Sequence, residues 1–227
     1  MEKTFLLVPG AWMGKWIWDS LKENLERLNH KVLSITLSGL ESQNANKEFG
    51  LQDHVDDVKK FITNNNLSNI TLMGHSYSGF VIGQVADQIP DEISQLIFIE
   101  AFLPINGQNL IEGAGLDQKE ENLAIENNDG KWPPPKLEEL KQQSHMTSEQ
   151  LRYLNKNLID HPAKSVQDKA HIKSDKIKVK SIFIGGNLNL SDKQKSLYEK
   201  VDFYDLNGGH WPMLSQTERL TEILNRI

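Results

Sequence analysis

Short apolar runs alternate along this chain with longer segments in which apolar and polar residues mix. The runs that predict β-strands lie at residues 3–8, 32–35, 69–73, 95–99, 179–184 and 201–206. In the mixed segments apolar residues recur every three or four positions, which predicts helices at 16–28, 51–65, 79–88, 192–200 and 216–226. Strands that alternate with helices in this way predict an α/β fold, with a mostly parallel, doubly wound sheet and helices on both faces.

The pattern changes between residues 104 and 172, which are polar and rich in Asn, Gln and Lys. A turn is predicted at 127–130, and the three prolines at 133–135 predict a stiff break. We interpret 104–172 as an inserted lid that emerges from the end of a strand. Residues 1–103 and 173–227 then form the core of the domain.

Two helices are expected inside this lid, at 136–143 and 147–158. Thr147 is placed to cap the second helix, with Gln150 at the capping-box position. A long disordered loop is the alternative interpretation of the whole segment. The leucines within both predicted helices favour a folded lid, because they provide apolar faces that can pack.

Composition narrows the class of protein. The chain has 227 residues, enough for one α/β domain with an insertion, and a formal net charge of −6, which argues against nucleic acid or an anionic membrane as partner. It contains no cysteine, so thiol nucleophiles, thiolate metal sites and disulfides are excluded. Its apolar runs are far shorter than the ~20 residues that span a bilayer. We therefore expect a soluble, cytoplasmic protein; the sequence leaves its oligomeric state open.

The most informative motif is Gly-His-Ser-Tyr-Ser-Gly at residues 74–79. It follows a predicted strand and precedes a predicted helix, the setting in which a sharp turn lifts a serine hydroxyl clear of a sheet. Ser76 is therefore the candidate nucleophile. Ser78 stands where a second glycine is usual, although Gly79 follows at once. The alternative is a strand–helix connection that carries no chemistry.

A serine nucleophile needs a base, and histidine takes a proton near neutral pH. His210 lies in a glycine-rich loop after the last predicted strand. It comes after Ser76 in the chain, which is the order found in hydrolases whose serine nucleophile lies on a strand–helix turn of this kind. His75 is interpreted as structural. The other histidines show no metal-ligand spacing, so neither a metal nor an organic cofactor is expected.

Acyl transfer by a serine nucleophile also needs N–H donors that stabilise the developing oxyanion. The backbone N–H of Tyr77 is one candidate, because Tyr77 follows the nucleophile. Ala11, in the loop after the first strand, is the other. Trp12, Trp132 and Trp211 are the candidate walls of a mostly apolar substrate pocket.

Several of these motifs together resemble the α/β-hydrolase superfamily, and most of all its small esterase branch with plant methylesterases, salicylate-binding protein and hydroxynitrile lyases. The segments that carry the resemblance are residues 8–18, 37–41, 53–58, 74–77 and 209–214. The resemblance implies an α/β-hydrolase fold, Ser76 as nucleophile, His210 as base, and Ala11 and Tyr77 as oxyanion donors.

The chain departs from this family's pattern at three places. Pro9 stands where a histidine is usual, and Ser78 replaces a glycine. The acid that orients the histidine is expected just after the strand at 181–184, where Asn189 occupies its position. An asparagine can accept a hydrogen bond from imidazole but cannot stabilise imidazolium, and the corresponding change in a serine protease costs about 10⁴ in kcat.

Glu100 is the proposed substitute for this acid. It ends an otherwise apolar run at the carboxyl end of a predicted strand, and buried carboxylates are rare unless they are paired. Some hydrolases of this fold, including certain haloalkane dehalogenases, place the acid after the same strand. Asp192 is a further candidate, although it looks first like the start of a helix, and Glu100 could instead point into solvent.

The sequence thus predicts a serine-dependent hydrolase of small carboxylic esters that acts through an acyl-enzyme. One alternative is a small-molecule binding protein with weak or lost catalysis, which Asn189 favours. Another is a lyase of the hydroxynitrile type, against which Ala11 and Trp211 count, since that branch has threonine and lysine at these positions.

Overall fold

The computed structural model describes residues 2–42, 48–142 and 145–227. Its strands are β1 (Thr4–Val8), β2 (Lys31–Ser34), β3 (Ile70–His75), β4 (Ile93–Ile99), β5 (Lys131–Trp132), β6 (His161–Pro162), β7 (Lys180–Gly185) and β8 (Val201–Asp205). Its α-helices are α1 (Asp19–Arg27), α2 (Leu51–Asn64), α3 (Ser78–Gln88), α4 (Leu110–Gly113), α5 (Gln118–Asn127), α6 (Leu137–Gln142), α7 (Ser148–Asn157), α8 (Ala163–Gln167), α9 (Asp192–Leu197), α10 (Pro212–Ser215) and α11 (Thr217–Arg226). Short 3₁₀ turns lie at Lys15–Trp18 and Pro90–Glu92.

The main sheet has the strand order β2-β1-β3-β4-β7-β8 within the described ranges, and every neighbouring pair is parallel. The predicted fold class, a parallel sheet wound with helices, is therefore confirmed. In a parallel sheet all carboxyl ends lie at one edge, and this edge is where ligands bind. The loops that leave β1, β3 and β4 at this edge carry Ala11, Ser76 and Glu100.

Two apolar clusters lie on opposite faces of the sheet, because successive side chains of a strand point to opposite sides. In β1, Leu6 belongs to the cluster that includes α2 and α3, whereas Leu7 belongs to the cluster that includes α1 and α11. Both leucines are completely buried. The helices therefore cover both faces, as the alternation of elements predicts.

The residues between β4 and β7, here called the inserted segment, form helices α4–α8 and a separate antiparallel pair, β5 with β6. Helices α6 and α7 correspond to the two predicted lid helices, except that residue 143 lies outside the described residues. The capping box is confirmed: Thr147 Oγ1 accepts from Gln150 N–H at 3.2 Å, and Gln150 Oε1 accepts from Thr147 N–H at 2.8 Å. The division into core and lid at residues 104 and 172 stays a prediction.

The sequence did not predict α4, α5, α8 or the β5–β6 pair. Helix α5 was not predicted because its sequence shows little apolar periodicity; its one buried residue is Ile125. In the ranges that the structure covers, no helix is both long and apolar enough to cross a membrane.

Candidate active site

Ser76 lies in a sharp turn between β3 and α3. Its backbone is left-handed, with φ of 51°, a conformation that is uncommon for residues other than glycine. The N–H of Ser76 donates to Ile99 O at 3.2 Å, and Ser76 O accepts from Gly79 N–H at 3.1 Å. A Cβ at Gly79 would lie 2.1 Å from Phe102 O, so the turn needs glycine there. This is the geometry of a nucleophile elbow.

His210 meets Ser76 across the edge of the sheet. The Nε2 of His210 lies 2.9 Å from Ser76 Oγ, so the structure brings the predicted nucleophile and base together. Burial lowers the pKa of the His210 imidazole to about 4, so this ring is neutral near pH 7 and can accept a proton. When Nε2 accepts from the serine, Nδ1 carries the ring proton.

His75 holds the backbone of His210 in place. The ring of His75 is completely buried, and its Nε2 lies 2.7 Å from His210 O. A carbonyl oxygen can only accept, so His75 Nε2 carries the proton and donates. Burial keeps the pKa of His75 well below its ordinary value, so the ring stays neutral. The sequence-based interpretation of His75 as structural agrees with this contact but did not specify it.

The carboxylate of Glu100 lies over the end of β7. Glu100 Oε1 accepts from Gly186 N–H at 2.6 Å, and a Cβ on Gly185 would lie 2.5 Å from the same oxygen. Glu100 therefore reaches the edge position from which the family's acid is expected, although it follows β4. Burial raises the pKa of Glu100, and the Gly186 hydrogen bond opposes this rise.

None of the three acid candidates forms a hydrogen bond with His210 in the described part of the chain. Asn189 is exposed, and the Asp192 side chain is fully exposed, 3.8 Å from Lys195 Nζ. Glu100 is the partly buried candidate, and its carboxylate lies at the edge of the sheet. The structure thus brings Ser76 and His210 within hydrogen-bond distance. In the described residues, it shows no hydrogen bond from a candidate acid to His210.

The backbone N–H groups of Ala11 and Tyr77 are the predicted oxyanion donors. Neither donates to a protein acceptor within the described ranges, and both residues lie beside Ser76 at the sheet edge. The side chain of Tyr77 is anchored elsewhere, since its hydroxyl lies 2.7 Å from Nδ1 of the buried His54. Buried N–H groups without a partner are rare, so this pair is suited to binding an anionic oxygen.

A cavity of about 720 Å³ opens onto this site. Ala11, Ser76 and His210 line it, together with the three tryptophans that the sequence singled out. The other residues that line the cavity were not predicted individually from the sequence; they are Phe102, Leu110, Ala114, Leu116, Glu120, Glu121, Ala124, Pro133, Pro134, Pro135, Lys136 and Glu139. Several of these come from the unpredicted α4 and α5, so no signal in the apolar pattern pointed to them.

Two of the departures from the family pattern contact each other. The Oγ of Ser78 donates a hydrogen bond to the carbonyl oxygen of Pro9, and Ser78 is completely buried. The serine in the elbow therefore ties α3 to the loop that follows β1. This loop contains Ala11.

Residues 3–171 match the alpha/beta hydrolase fold family, and the chain therefore belongs to it. This confirms the resemblance inferred from the motifs. The match covers β1–β4 and most of the inserted segment.

The chain is similar in sequence to proteins that are named as esterases. It is 36% identical over 109 residues to a carbendazim hydrolyzing esterase of Nocardioides sp. (strain SG-4G), covering 47% of this chain and 45% of that protein. It is 29% identical over 107 residues to methylesterase 8 of Arabidopsis thaliana, covering 46% of this chain and 39% of that protein. These matches thus span less than half the length of each relative.

A solved structure matches almost the whole chain. It is an extracellular α/β-hydrolase from a Paenibacillus species, described as sharing structural and functional homology with tobacco salicylic acid binding protein 2. The TM-score is 0.84, with 21% sequence identity, and the match covers 99% of this chain and 98% of that one. This likeness confirms the fold.

Proposed function

We propose that the protein is a serine-dependent hydrolase of small carboxylic esters. The observation that carries this proposal is the 2.9 Å contact between Ser76 Oγ and His210 Nε2, both of which line a cavity of about 720 Å³. The esterase names of the relatives from Nocardioides and Arabidopsis support the same chemistry.

In the first half-reaction, Ser76 Oγ attacks the ester carbonyl carbon while His210 Nε2 takes the hydroxyl proton. The carbonyl oxygen becomes an oxyanion and accepts hydrogen bonds from the N–H groups of Ala11 and Tyr77. When the tetrahedral intermediate collapses, the bond to the alcohol oxygen breaks. His210 gives its proton to that oxygen, and the alcohol leaves.

In the second half-reaction, a water molecule attacks the acyl-enzyme carbonyl and gives a proton to His210. The bond to Ser76 Oγ then breaks, His210 returns the proton to the serine, and the carboxylic acid leaves. In each half-reaction the attack step produces an imidazolium on His210, which a nearby carboxylate stabilises until the proton is passed on. We assign this supporting role to Glu100, because Gly185 and Gly186 accommodate its carboxylate at the end of β7.

The cavity favours small substrates with apolar groups. Trp12 and Trp132 pack against each other with ring centroids 4.2 Å apart, and Trp211 lines the same cavity. Aromatic walls of this kind bind acyl or alcohol groups mainly by burying apolar surface.

One observation favours a second candidate function, a small-molecule binding protein with weak or lost catalysis. In the described residues, His210 lacks a carboxylate hydrogen bond, and Asn189, the residue predicted for the family's acid position, is exposed. Without an acid, the imidazolium is less stable and the serine less active.

A fluorophosphonate probe separates the two functions. An esterase is labelled at Ser76, loses the label in Ser76→Ala, and keeps it in Ser68→Ala, which changes an exposed serine away from the cavity. A panel of p-nitrophenyl and methyl esters of increasing acyl length then identifies the substrate class. A folded protein that takes no label and hydrolyses none of the esters would exclude the esterase and support the binding protein.

A further inference from the structure

Trp12 is held in a backbone conformation that a bulky residue rarely adopts. Its φ is 65°, in the left-handed region, and it directly follows the proposed oxyanion donor Ala11. Residues in such conformations persist only when their surroundings fix them, and they cluster at functional sites.

The inserted segment supplies the contacts that fix Trp12. The N–H of Trp12 donates to His161 Nδ1 at 3.2 Å, and Trp12 O accepts from Ile159 N–H at 3.0 Å. The indole Nε1–H of Trp12 donates to Trp132 O at 3.1 Å. Both backbone polar groups and the side-chain donor of Trp12 are thus bound by one segment.

His161 is arranged to act as an acceptor in this contact. Its ring is completely buried, and its Nε2 lies 2.9 Å from Ser165 Oγ, which in turn donates to Pro162 O at 2.8 Å. Because the serine proton is used on Pro162 O, His161 Nε2 carries the ring proton and donates to Ser165. Nδ1 is therefore unprotonated and can accept from Trp12.

The peptide that bears the Ala11 N–H lies between two anchored peptides. On one side, Ser78 Oγ holds the carbonyl of Pro9. On the other side, His161 Nδ1 holds the N–H of Trp12. The orientation of the peptide between them is set by these two attachments, since a chain has only two soft dihedrals per residue.

We propose that His161 is a positioning residue for the oxyanion site, and that the inserted segment thereby forms part of the catalytic apparatus as well as a wall of the cavity. This inference rests on the proposed esterase function. His161 is not among the residues that line the cavity. It orients the Ala11 N–H through Trp12. Losing it should weaken binding of the oxyanion and leave binding of the uncharged ground state unchanged.

The test compares two inhibitors on matched variants. Pentyl trifluoromethyl ketone forms an adduct with a serine nucleophile and so develops an oxyanion, whereas pentyl methyl ketone binds only as a ground-state analogue. His161→Phe keeps a ring but removes the acceptor. His161→Asn keeps an acceptor near the position of Nδ1.

We expect His161→Phe to lower kcat by about 100-fold, the scale of a lost oxyanion donor. Its affinity for the trifluoromethyl ketone should fall by a similar factor, with affinity for the methyl ketone and KM within about twofold of wild type. His161→Asn should recover most of the loss. Ser165→Ala, which removes the partner that fixes the His161 tautomer, should show a smaller loss in the same direction.

Equal weakening of both ketones, or no weakening of either, in a folded His161→Phe variant would overturn the proposal. If His161→Phe does not fold, Ser165→Ala decides by the same ratio of affinities. A wild-type protein that binds the trifluoromethyl ketone no better than the methyl ketone, and takes no fluorophosphonate label, would overturn the esterase function together with this inference. A wild-type adduct combined with an unaffected variant would overturn only the role of His161.

Discussion

Ser76 and Glu100 are the first residues after two adjacent parallel strands, β3 and β4, and both have left-handed backbones, with φ of 51° and 44°. The two turns are linked, because Ser76 N–H donates to Ile99 O, next to Glu100. Glu100 N–H in turn donates to Ile184 O of β7 at 3.0 Å. Non-glycine residues in this conformation store strain and are typical of functional sites, so the pair supports a role for Glu100 beside Ser76.

Replacing Glu100 with Gln should lower kcat by at least about tenfold. The corresponding Asp-to-Asn change in a serine protease, which sets the upper end of the expected loss, lowers kcat by about 10⁴. The amide keeps the size of the side chain but cannot stabilise the imidazolium of His210. Steady-state kinetics on the best ester of the panel measures the effect. Asp192→Asn is the control and should keep wild-type rates, because that carboxylate is fully exposed. A Glu100→Gln enzyme with wild-type kcat/KM would leave Ser76 and His210 as a dyad.

The pH dependence of kcat/KM should distinguish a carboxylate that acts on His210 from one that does not. The base works when neutral, so activity is full above the pKa of His210 and is lost as pH falls through it. Burial lowers that pKa to about 4, so the acid limb of the wild-type profile should lie near pH 4. An ionised Glu100 that acts on His210 favours the imidazolium, so losing this carboxylate in Glu100→Gln should move the acid limb to lower pH. Identical limbs in both proteins would contradict this role of Glu100.

Ser78→Ala should destabilise the protein and slow the reaction. The buried carbonyl of Pro9 loses its hydrogen bond, which costs about 1–3 kcal/mol in the free energy of unfolding. The loop that carries Ala11 then loses its attachment at Pro9 and keeps the one at Trp12, so kcat should fall more than KM changes. Urea unfolding and steady-state kinetics measure the two effects, with the exposed Ser68→Ala as the control. Unchanged stability would show that the Ser78 hydroxyl does not hold the loop.

Much of the core was predictable from the sequence, because its signals are local. The strand at 69–73 was predicted from its β-branched, apolar run and is observed as β3, Ile70–His75. Ser76 was found from the turn chemistry around it, and His210 from its glycine-rich loop and chain order. The structure then brought these two side chains together.

The rest depends on contacts between residues that are distant in the chain. Pro9 and Ser78 looked like two independent departures from the family, and only the fold shows that they are hydrogen-bonded. His161 lies in a two-residue strand without any periodicity, and its partner Trp12 is 149 positions away. The position of the Glu100 carboxylate depends on the space that Gly185 leaves by having no side chain. Gly185 lies on a strand that follows much later in the sequence.

Gly185→Ala should reproduce part of the Glu100→Gln defect without removing the carboxylate. The added Cβ would lie 2.5 Å from Glu100 Oε1. The flexible side chain of Glu100 must therefore move away from its position over β7. Gly186→Ala is the matched comparison, because its Cβ would lie at an ordinary 3.8 Å from the same oxygen and its N–H is kept. We expect kcat to fall several-fold in Gly185→Ala and to change little in Gly186→Ala.

The double variant Gly185→Ala with Glu100→Gln tests whether the two changes act through one group. If Gly185→Ala works by displacing the Glu100 carboxylate, its effect should vanish once that carboxylate is an amide, so the double variant should match Glu100→Gln alone. Rate losses that multiply in the double variant would show that Gly185 acts through another contact, such as the Phe183 ring, whose Cε1 would lie 2.8 Å from the new Cβ.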